Sequence, residues 1–248
     1  FKFVADVETA FTELQAGTLD ILNYLTADQV SVLSDDFTIV DGSMNLVHAL
    51  YLNNDYEPLS NPLVRQALNY AVDRASINDF LFGGASHLIG THMLPALERY
   101  YNADTEGLYS YDPEKAKELL AEAGYADGFE LSIMVPSAYS QHVSTAEIIV
   151  ENLKAVGIDA KLDLVEWSTW LSECYQGRKY EATVIGVDGK LAPSDWLTKY
   201  VSTDAKNFMN YKSDKFDELF AQAKATVDDT EKANLYKEAE MVLAEDAV

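Results

Sequence analysis

Residues 129–167, FELSIMVPSAYSQHVSTAEIIVENLKAVGIDAKLDLVEW, decide the fold of this chain. Apolar residues alternate along 129–135 and again along 158–165, which is the period of a half-buried strand. Between these runs, 144–157 repeats its apolar residues at helical spacing and closes with a glycine. A strand, a helix and a strand in this order are typical of a right-handed crossover between parallel strands. Because 180–187 (YEATVIGV) predicts one more strand, we expect an α/β fold with a mixed, mostly parallel sheet flanked by helices.

Aromatic and polar residues follow each of these strands at its carboxyl end. The three exits are PSAYSQ (136–141), EWSTW (166–170) and DGKLAPSDW (188–196). Ligands of open α/β sheets bind in the crevice outside the carboxyl ends of the strands. The candidate ligand contacts on these exits are Tyr139, Trp167, Asp188, Gly189 and Lys190. A glycine lets backbone groups approach a ligand closely, and rings with a few polar groups favour small-molecule binding without covalent chemistry.

The rest of the chain continues the alternation of strands and helices. Strands are predicted at 1–6, 19–25, 37–41 and 47–54, and helices at 7–17, 27–34, 62–84, 111–125, 213–227 and 229–246. Asp112 is the expected N-cap of its helix, with Pro113 in the first helical position. Ser213 and Asp229 are the expected caps of the last two helices. Because no linker or short repeat divides residues 1–248, we expect one α/β unit.

Composition and missing motifs exclude several functions. The chain has 248 residues, 41 acidic against 18 basic, and a net charge of −23, so clustered cations for nucleic-acid phosphates are absent. A single cysteine excludes an intramolecular disulfide and a Cys/His zinc site. Cys174 is expected to be a small packing residue, and His87 and His92 solvent-facing loop residues. No motif for a nucleophile, a metal or a phosphate loop occurs, so neither an enzyme nor a cofactor is indicated.

Several collinear motifs resemble the family 5 extracellular solute-binding proteins, the oligopeptide-, dipeptide- and nickel-binding receptors of ABC importers. The matching stretches are 61–77, 111–125, 166–177, 192–197 and the last helical pair. The resemblance implies a periplasmic-binding-protein type II-like lobe within a bilobed receptor. This chain would then be the C-terminal lobe, without the N-terminal lobe and the final C-terminal segment. It also implies an extracellular or periplasmic, lipid-anchored protein whose export signal lies upstream.

The resemblance also carries site residues onto this sequence. Trp167 matches an aromatic residue that packs on bound peptide, and Val187, Asp188 and Gly189 match the strand-end loop that approaches the ligand. Tyr24 completes the set of expected ligand contacts. The family commonly has Gly-Trp followed closely by an aspartate that pairs with a peptide's ammonium group. Here Val187 follows the glycine and Lys190 lies near the expected acid, which puts recognition of a peptide N-terminus in doubt. Cys174 stands where some oligopeptide receptors place an arginine.

The sequence therefore favours the substrate-binding component of an ABC importer. Its partners would be a peptide or other small solute and a membrane permease, with no nucleic acid, and the protein would be a monomer. One alternative is a hydrolase or transferase lobe whose other catalytic residues lie outside this chain. Another is a ligand-sensing regulatory lobe fused to a DNA-binding domain. An upstream signal peptide with a lipid-attachment cysteine favours transport, whereas a helix-turn-helix favours regulation.

Overall fold

The computed structural model of the protein describes residues 1–4, 6–40, 42, 44–189 and 191–248. Within these residues one sheet forms from β1 (Leu46–Leu52), β2 (Glu130–Pro136), β3 (Asp159–Val165) and β4 (Ala182–Asp188). The order of the strands is β1-β4-β2-β3. β2 runs parallel to β3 and to β4, while β1 pairs antiparallel to β4. The predicted mixed, mostly parallel sheet is confirmed.

Helices connect and cover the strands. They are α1 (Val7–Gln15), α2 (Ala27–Ser31), α3 (Pro62–Ala71), α4 (Arg74–Phe82), α5 (Pro113–Glu122), α6 (Ser140–Ala155), α7 (Trp167–Thr169), α8 (Pro193–Leu197), α9 (Asp214–Ala225) and α10 (Asp229–Glu245). A π-helical segment, Trp170–Gln176, continues α7. The predicted Asp112 cap is confirmed, since its carboxylate accepts from the Lys115 N–H at 2.9 Å. The last helix is capped by Asp228, one residue before the predicted Asp229.

Both faces of the central strands β2 and β4 are covered, and the alternation along each strand decides which side chain faces which layer. On one face, Leu131, Ile133 and Val135 of β2 pack with Val184 of β4 against α3, α5 and α6. On the other face, Ile185 of β4 packs against the aromatic layer formed by the π-helical segment, α8, α9 and α10. Burying one aliphatic side chain stabilises the folded state by about 1.5 to 3 kcal/mol. Packing against the two layers therefore fixes the positions of the strand ends.

The helix predicted over 62–84 divides into α3 and α4. Val72 is extended (φ −92°, ψ 119°), and the Asp73 carboxylate caps α4 by accepting from the Ser76 N–H at 3.0 Å. The Asp73 N–H in turn donates to Asn152 Oδ1 of α6 at 2.9 Å. An N-cap side chain and a tertiary hydrogen bond thus interrupt a run whose apolar spacing looks continuous.

The first forty-five residues depart most from the sequence prediction. The strands predicted at 1–6, 19–25 and 37–41 are not formed in the described residues of those ranges; Ala5 and Asp41 lie outside them. Phe1 and Phe3 are fully exposed, and Ile21 is 83% exposed. Apolar residues alone do not make a strand, which needs a hydrogen-bonded neighbour, and none of the described residues provides one. The strand–helix–strand unit expected near the start is therefore wrong for this structure.

Candidate ligand-binding edge

Three strand exits meet at one edge of the sheet, as the sequence predicted. β2 lies between β3 and β4 and runs parallel to both, so all three strands end on the same side. Pro136 and Val165 are register partners at these ends, and the Ser137 N–H donates to the Val165 carbonyl at 2.9 Å. The loops that follow carry Tyr139 and Trp167 out of the sheet. This edge is the candidate ligand-binding edge.

Tyr139 and Trp167 form an exposed aromatic platform at this edge. Their ring centroids are 5.6 Å apart and nearly perpendicular, at 78°. Trp167 also stacks on Trp170, with centroids 5.1 Å apart and planes within 9°. Tyr139 remains 43% exposed and Trp167 39% exposed, whereas Trp170 is buried. One face of the Trp167 ring is therefore covered by protein, while the side chain keeps enough exposed surface to contact a ligand.

A buried hydrogen-bond chain holds the base of the platform. Trp170 Nε1 donates to Thr183 Oγ1 at 2.9 Å, and that hydroxyl donates to the Met134 carbonyl at 2.6 Å. Thr183 is completely buried in β4, so both bonds are shielded from water. Since the indole N–H has its partner and its ring is stacked, Trp170 has one defined position, and so does the Trp167 ring that lies on it.

The third exit, after β4, carries the candidates Val187, Asp188 and Gly189. Val187 is half-buried and packs against the aromatic core, while Asp188 is exposed and its carboxylate bonds to no residue of the described chain. A Cβ on Gly189 would lie 1.0 Å from Cζ2 of Trp196, so glycine is required there for the indole to pack. Lys190 lies outside the described residues.

Tyr24 is not part of the aromatic platform. It follows α1 in an irregular segment, is 75% exposed and has a left-handed backbone (φ 62°). Among the described residues, its ring makes no aromatic contact with Tyr139 or Trp167. The structure thus brings Tyr139 and Trp167 together and leaves Tyr24 outside their cluster.

Two histidines at the edge were missed by sequence reasoning. His142 lies in the first turn of α6, and its ring centroid is 5.3 Å from that of Tyr139. His48 of β1 lies 4.5 Å from His142 by the same measure. Burial lowers the pKa of His48 to about 3 and that of His142 to about 4. The only available signal was that His142 follows Tyr139 by three residues on the same exit.

The loop histidines differ from each other, so the prediction for them is only half correct. His87 is exposed and its Nε2 lies 2.9 Å from Glu106 Oε1. His92 is buried between the hydroxyl groups of Tyr51 and Tyr200, which contact its two ring nitrogens. Burial, with a smaller effect of the Lys199 charge, lowers the pKa of His92 well below its usual value. The solvent-facing prediction for His92 is therefore wrong, because the long connection folds inward at this point.

Cys174 is a packing residue, as predicted, and it is completely buried. Burial raises the pKa of its thiol to about 12. A thiol that stays protonated and inaccessible is a poor nucleophile. In the described part of the chain, no three His, Cys, Asp or Glu side chains form a cluster that could hold a metal ion.

A concavity of about 510 Å³ lies at the opposite end of β4. Several of its polar groups are bonded to one another. Asn53 donates to the Tyr180 carbonyl, Arg178 donates to the Asn210 side chain, and the Ser132 N–H donates to the Glu181 carboxylate. The exposed rings of Tyr139 and Trp167 lie at the carboxyl edge, and rings with a few polar groups are the usual lining of a small-molecule site, so the carboxyl edge remains the candidate site.

A sheet covered on both faces, with stacked rings exposed at its carboxyl edge, defines an α/β lobe of the periplasmic-binding-protein type. Sequence comparison identifies the family. The chain belongs to the bacterial extracellular solute-binding proteins, family 5, whose middle region matches residues 1–234. The resemblance inferred from the motifs is thereby confirmed. The family consists of solute-binding proteins, and no helix in the described part of this chain has the length and apolarity to cross a membrane.

Relatives with known names or structures match nearly the whole chain. Heme-binding protein A of Haemophilus influenzae is 29% identical over 252 residues, which are 98% of this chain and 46% of that protein. The DppA periplasmic binding protein of Helicobacter pylori, in complex with the peptide STSA, is 28% identical with a TM-score of 0.89, covering 99% of this chain and 49% of that one. AgaA of A. tumefaciens R10, in complex with agropinic acid, is 30% identical with a TM-score of 0.84, covering 98% and 50%. The chain spans about half the length of these relatives.

Proposed function

We propose that this protein is the substrate-binding component of an ABC importer, which captures a peptide or similar small solute and delivers it to a membrane permease. The observation that carries the proposal is the exposed aromatic platform of Tyr139 and Trp167 at the carboxyl edge of the sheet, the edge at which β4 also ends with Asp188. Family membership and the peptide bound to the similar DppA support it.

The chain acts as one lobe of a two-lobed receptor. The edge is open, so a ligand lying on Trp167 is covered from one side only. The similar structures are about twice as long, which leaves room for a second wall. Hinge closure of the two walls would bury the ligand and present a closed form to the permease. The isolated lobe therefore binds its ligand weakly.

The chemistry of the edge suits a ligand that carries an apolar or aromatic group and a cation. Rings attract flat apolar groups and cations, and an unpaired carboxylate attracts an ammonium group. Asp188 would pair with the ammonium group of the ligand, as an aspartate further along the loop does in peptide receptors of the family. We propose the sequence neighbours of Asp188, namely Val187, Gly189 and Lys190, as further ligand contacts, with Tyr24 from the α1–α2 segment.

We infer that the protein is not an enzyme and works as an exported, lipid-anchored monomer. The one thiol of the chain, Cys174, is buried and protonated, which argues against nucleophilic catalysis by this residue. The membership of an extracellular family supports export. Mass spectrometry of the mature N-terminus of the full-length protein tests the anchor, because a lipid-modified cysteine is expected there and an unmodified N-terminus would refute it.

The experiment is ligand binding by the full-length protein. Native mass spectrometry of the purified protein identifies any solute that it carries, and tryptophan fluorescence follows titration with di- to tetrapeptides. Trp167→Ala is expected to weaken binding at least tenfold, because loss of a stacking ring costs about 1 to 3 kcal/mol. Tyr111→Ala, at a similarly exposed ring before α5, is the matched control and should leave affinity unchanged. Equal affinity of the Trp167→Ala and parent proteins would contradict the assigned site.

A further inference from the structure

His48, His142 and Gly186 form a connected hydrogen-bonded group where β1, α6 and β4 meet. The Gly186 N–H donates to His142 Nε2 at 3.1 Å, and His142 Nδ1 lies 3.0 Å from His48 Nε2. His48 is also the register partner of Gly186 in the antiparallel β1–β4 pair. The group therefore lies one residue before Val187 and two before Asp188, at the start of the third exit.

The direction of these hydrogen bonds follows from the chemistry of the donors. A backbone N–H can only donate, so His142 Nε2 must be the nitrogen with the lone pair. The neutral ring then carries its proton on Nδ1, which donates to His48 Nε2, and His48 in turn is protonated on Nδ1. Both rings are uncharged in this arrangement. The lowered pKa values of both histidines, caused first by burial, agree with uncharged rings at neutral pH.

The imidazole of His142 contacts both the aromatic platform and the end of β4. On one side its ring contacts Tyr139, which contacts Trp167. On the other side it holds the Gly186 amide. A Cβ at position 186 would lie 2.7 Å from a methyl carbon of Leu46 and 3.2 Å from Cε1 of His142, so a side chain there would require Leu46 and His142 to move.

We propose that His142 and His48 are positioning residues: they order the Gly186 amide, and through it they fix the exit of β4 relative to the aromatic platform that receives the ligand. The part concerning the ligand rests on the proposed function. The ordering of the amide is a property of the protein alone. A side chain that cannot accept from Gly186 would free the strand end, whereas glutamine at position 142 can accept with its carbonyl and donate with its amide.

The first arm of the test needs no ligand. Nitrogen-15 NMR of the imidazoles in the full-length protein at pH 7 is expected to show both histidines protonated on Nδ1. In His142→Leu, the amide protons of Gly186 and Val187 are expected to exchange at least tenfold faster, while His142→Gln stays within threefold of the parent. His87→Gln, at an exposed loop, is the matched control and should change neither amide. Protonation of His142 on Nε2, or unchanged exchange in His142→Leu, would overturn the proposal.

The second arm measures the affinity of the same proteins by calorimetry with the tetrapeptide Ser-Thr-Ser-Ala as the probe. A loss of at least tenfold in His142→Leu, with His142→Gln within threefold, supports positioning through the hydrogen bond. Equal losses in both variants would indicate a packing role and overturn it. If the parent protein does not bind the probe, the peptide proposal is weakened and the amide measurements still decide the ordering. A nickel titration of the parent at pH 7 is a further check of the histidine pair. Loss of the Nδ1 proton signals at one equivalent of Ni²⁺ would identify a metal site and overturn the positioning role, whereas unchanged signals support it.

Discussion

Glu240 gives the sharpest prediction about stability, because a carboxyl group is completely buried in α10. Its Oε2 accepts from Thr91 Oγ1 at 2.9 Å and from the Asn102 N–H at 3.3 Å. Its Oε1 has no partner among the described residues. Burial raises the pKa of Glu240 to about 8, although both hydrogen bonds and the Lys237 charge oppose the rise. The folded protein therefore holds this group protonated at neutral pH.

The size of the stability change follows from the difference between the pKa of Glu240 in the folded protein and its pKa in the unfolded chain. In the unfolded chain the pKa is near its usual 4.5, so the unfolded state releases the proton first as the pH rises. The stability contributed by the protonated group is fully present below pH 4.5 and is lost as the pH rises towards 8. Each tenfold difference in proton affinity corresponds to about 1.4 kcal/mol, so between pH 5 and pH 7 the loss amounts to roughly 2 to 3 kcal/mol.

The assay is urea unfolding at pH 5, 6 and 7, which compares the purified protein with Glu240→Gln. Glutamine stays neutral at every pH. Between pH 5 and pH 7 the free energy of unfolding should therefore fall by roughly 2 to 3 kcal/mol less in the variant than in the parent, whatever the absolute stability of the variant. Contributions from the buried histidines are present in both proteins and cancel in the difference. Glu238→Gln, at an exposed position of the same helix, is the control and should follow the parent. Parallel pH dependence of the parent and Glu240→Gln would refute the reasoning.

Two further substitutions test how the core supports the edge, and each is measured by urea unfolding. Gly189→Ala should lower the free energy of unfolding by about 2 kcal/mol or more, because its Cβ would overlap the Trp196 ring. Gly107→Ala, where a Cβ meets nothing within 4 Å, should be nearly neutral, and equal effects would contradict the packing argument. Thr183→Val should cost about 1 to 3 kcal/mol, because it leaves the buried indole N–H of its partner unsatisfied. Thr203→Val, at an exposed threonine, is its control, and a neutral Thr183→Val would show that this hydrogen bond contributes nothing.

The central sheet and the candidate ligand-binding edge could be predicted from the sequence because both depend on local patterns. Two-residue alternation marks β2 and β3, and the apolar spacing of α6 indicates the crossover that makes them parallel. Parallel strands end on the same side, so the rings that follow them had to lie close together. That rule placed Tyr139 and Trp167 at one edge before any contact between them was known.

The details that sequence patterns missed depend on partners far along the chain. His92 is buried because Tyr51 and Tyr200 enclose it from opposite directions, 41 and 108 residues away. The glycine at 189 has a role in packing, and that role could not be read without knowing where the Trp196 ring lies. The apolar segments predicted as strands before residue 45 show the converse, since an apolar run forms no strand where the described chain offers no neighbour to pair with.

The supports of the edge determine where movement can occur on ligand binding. The Trp167 ring rests on Trp170, which Thr183 anchors to the centre of the sheet, and the proposed histidine pair ties Gly186 to β1 and α6. These anchors are buried hydrogen bonds and stacked rings, so this wall is already ordered before a ligand arrives. A preorganised wall loses little side-chain freedom on binding, which favours affinity without local rearrangement. Under the proposed function, we therefore expect closure around a solute to move these residues as one rigid unit, with the Trp167 ring in the same place before and after.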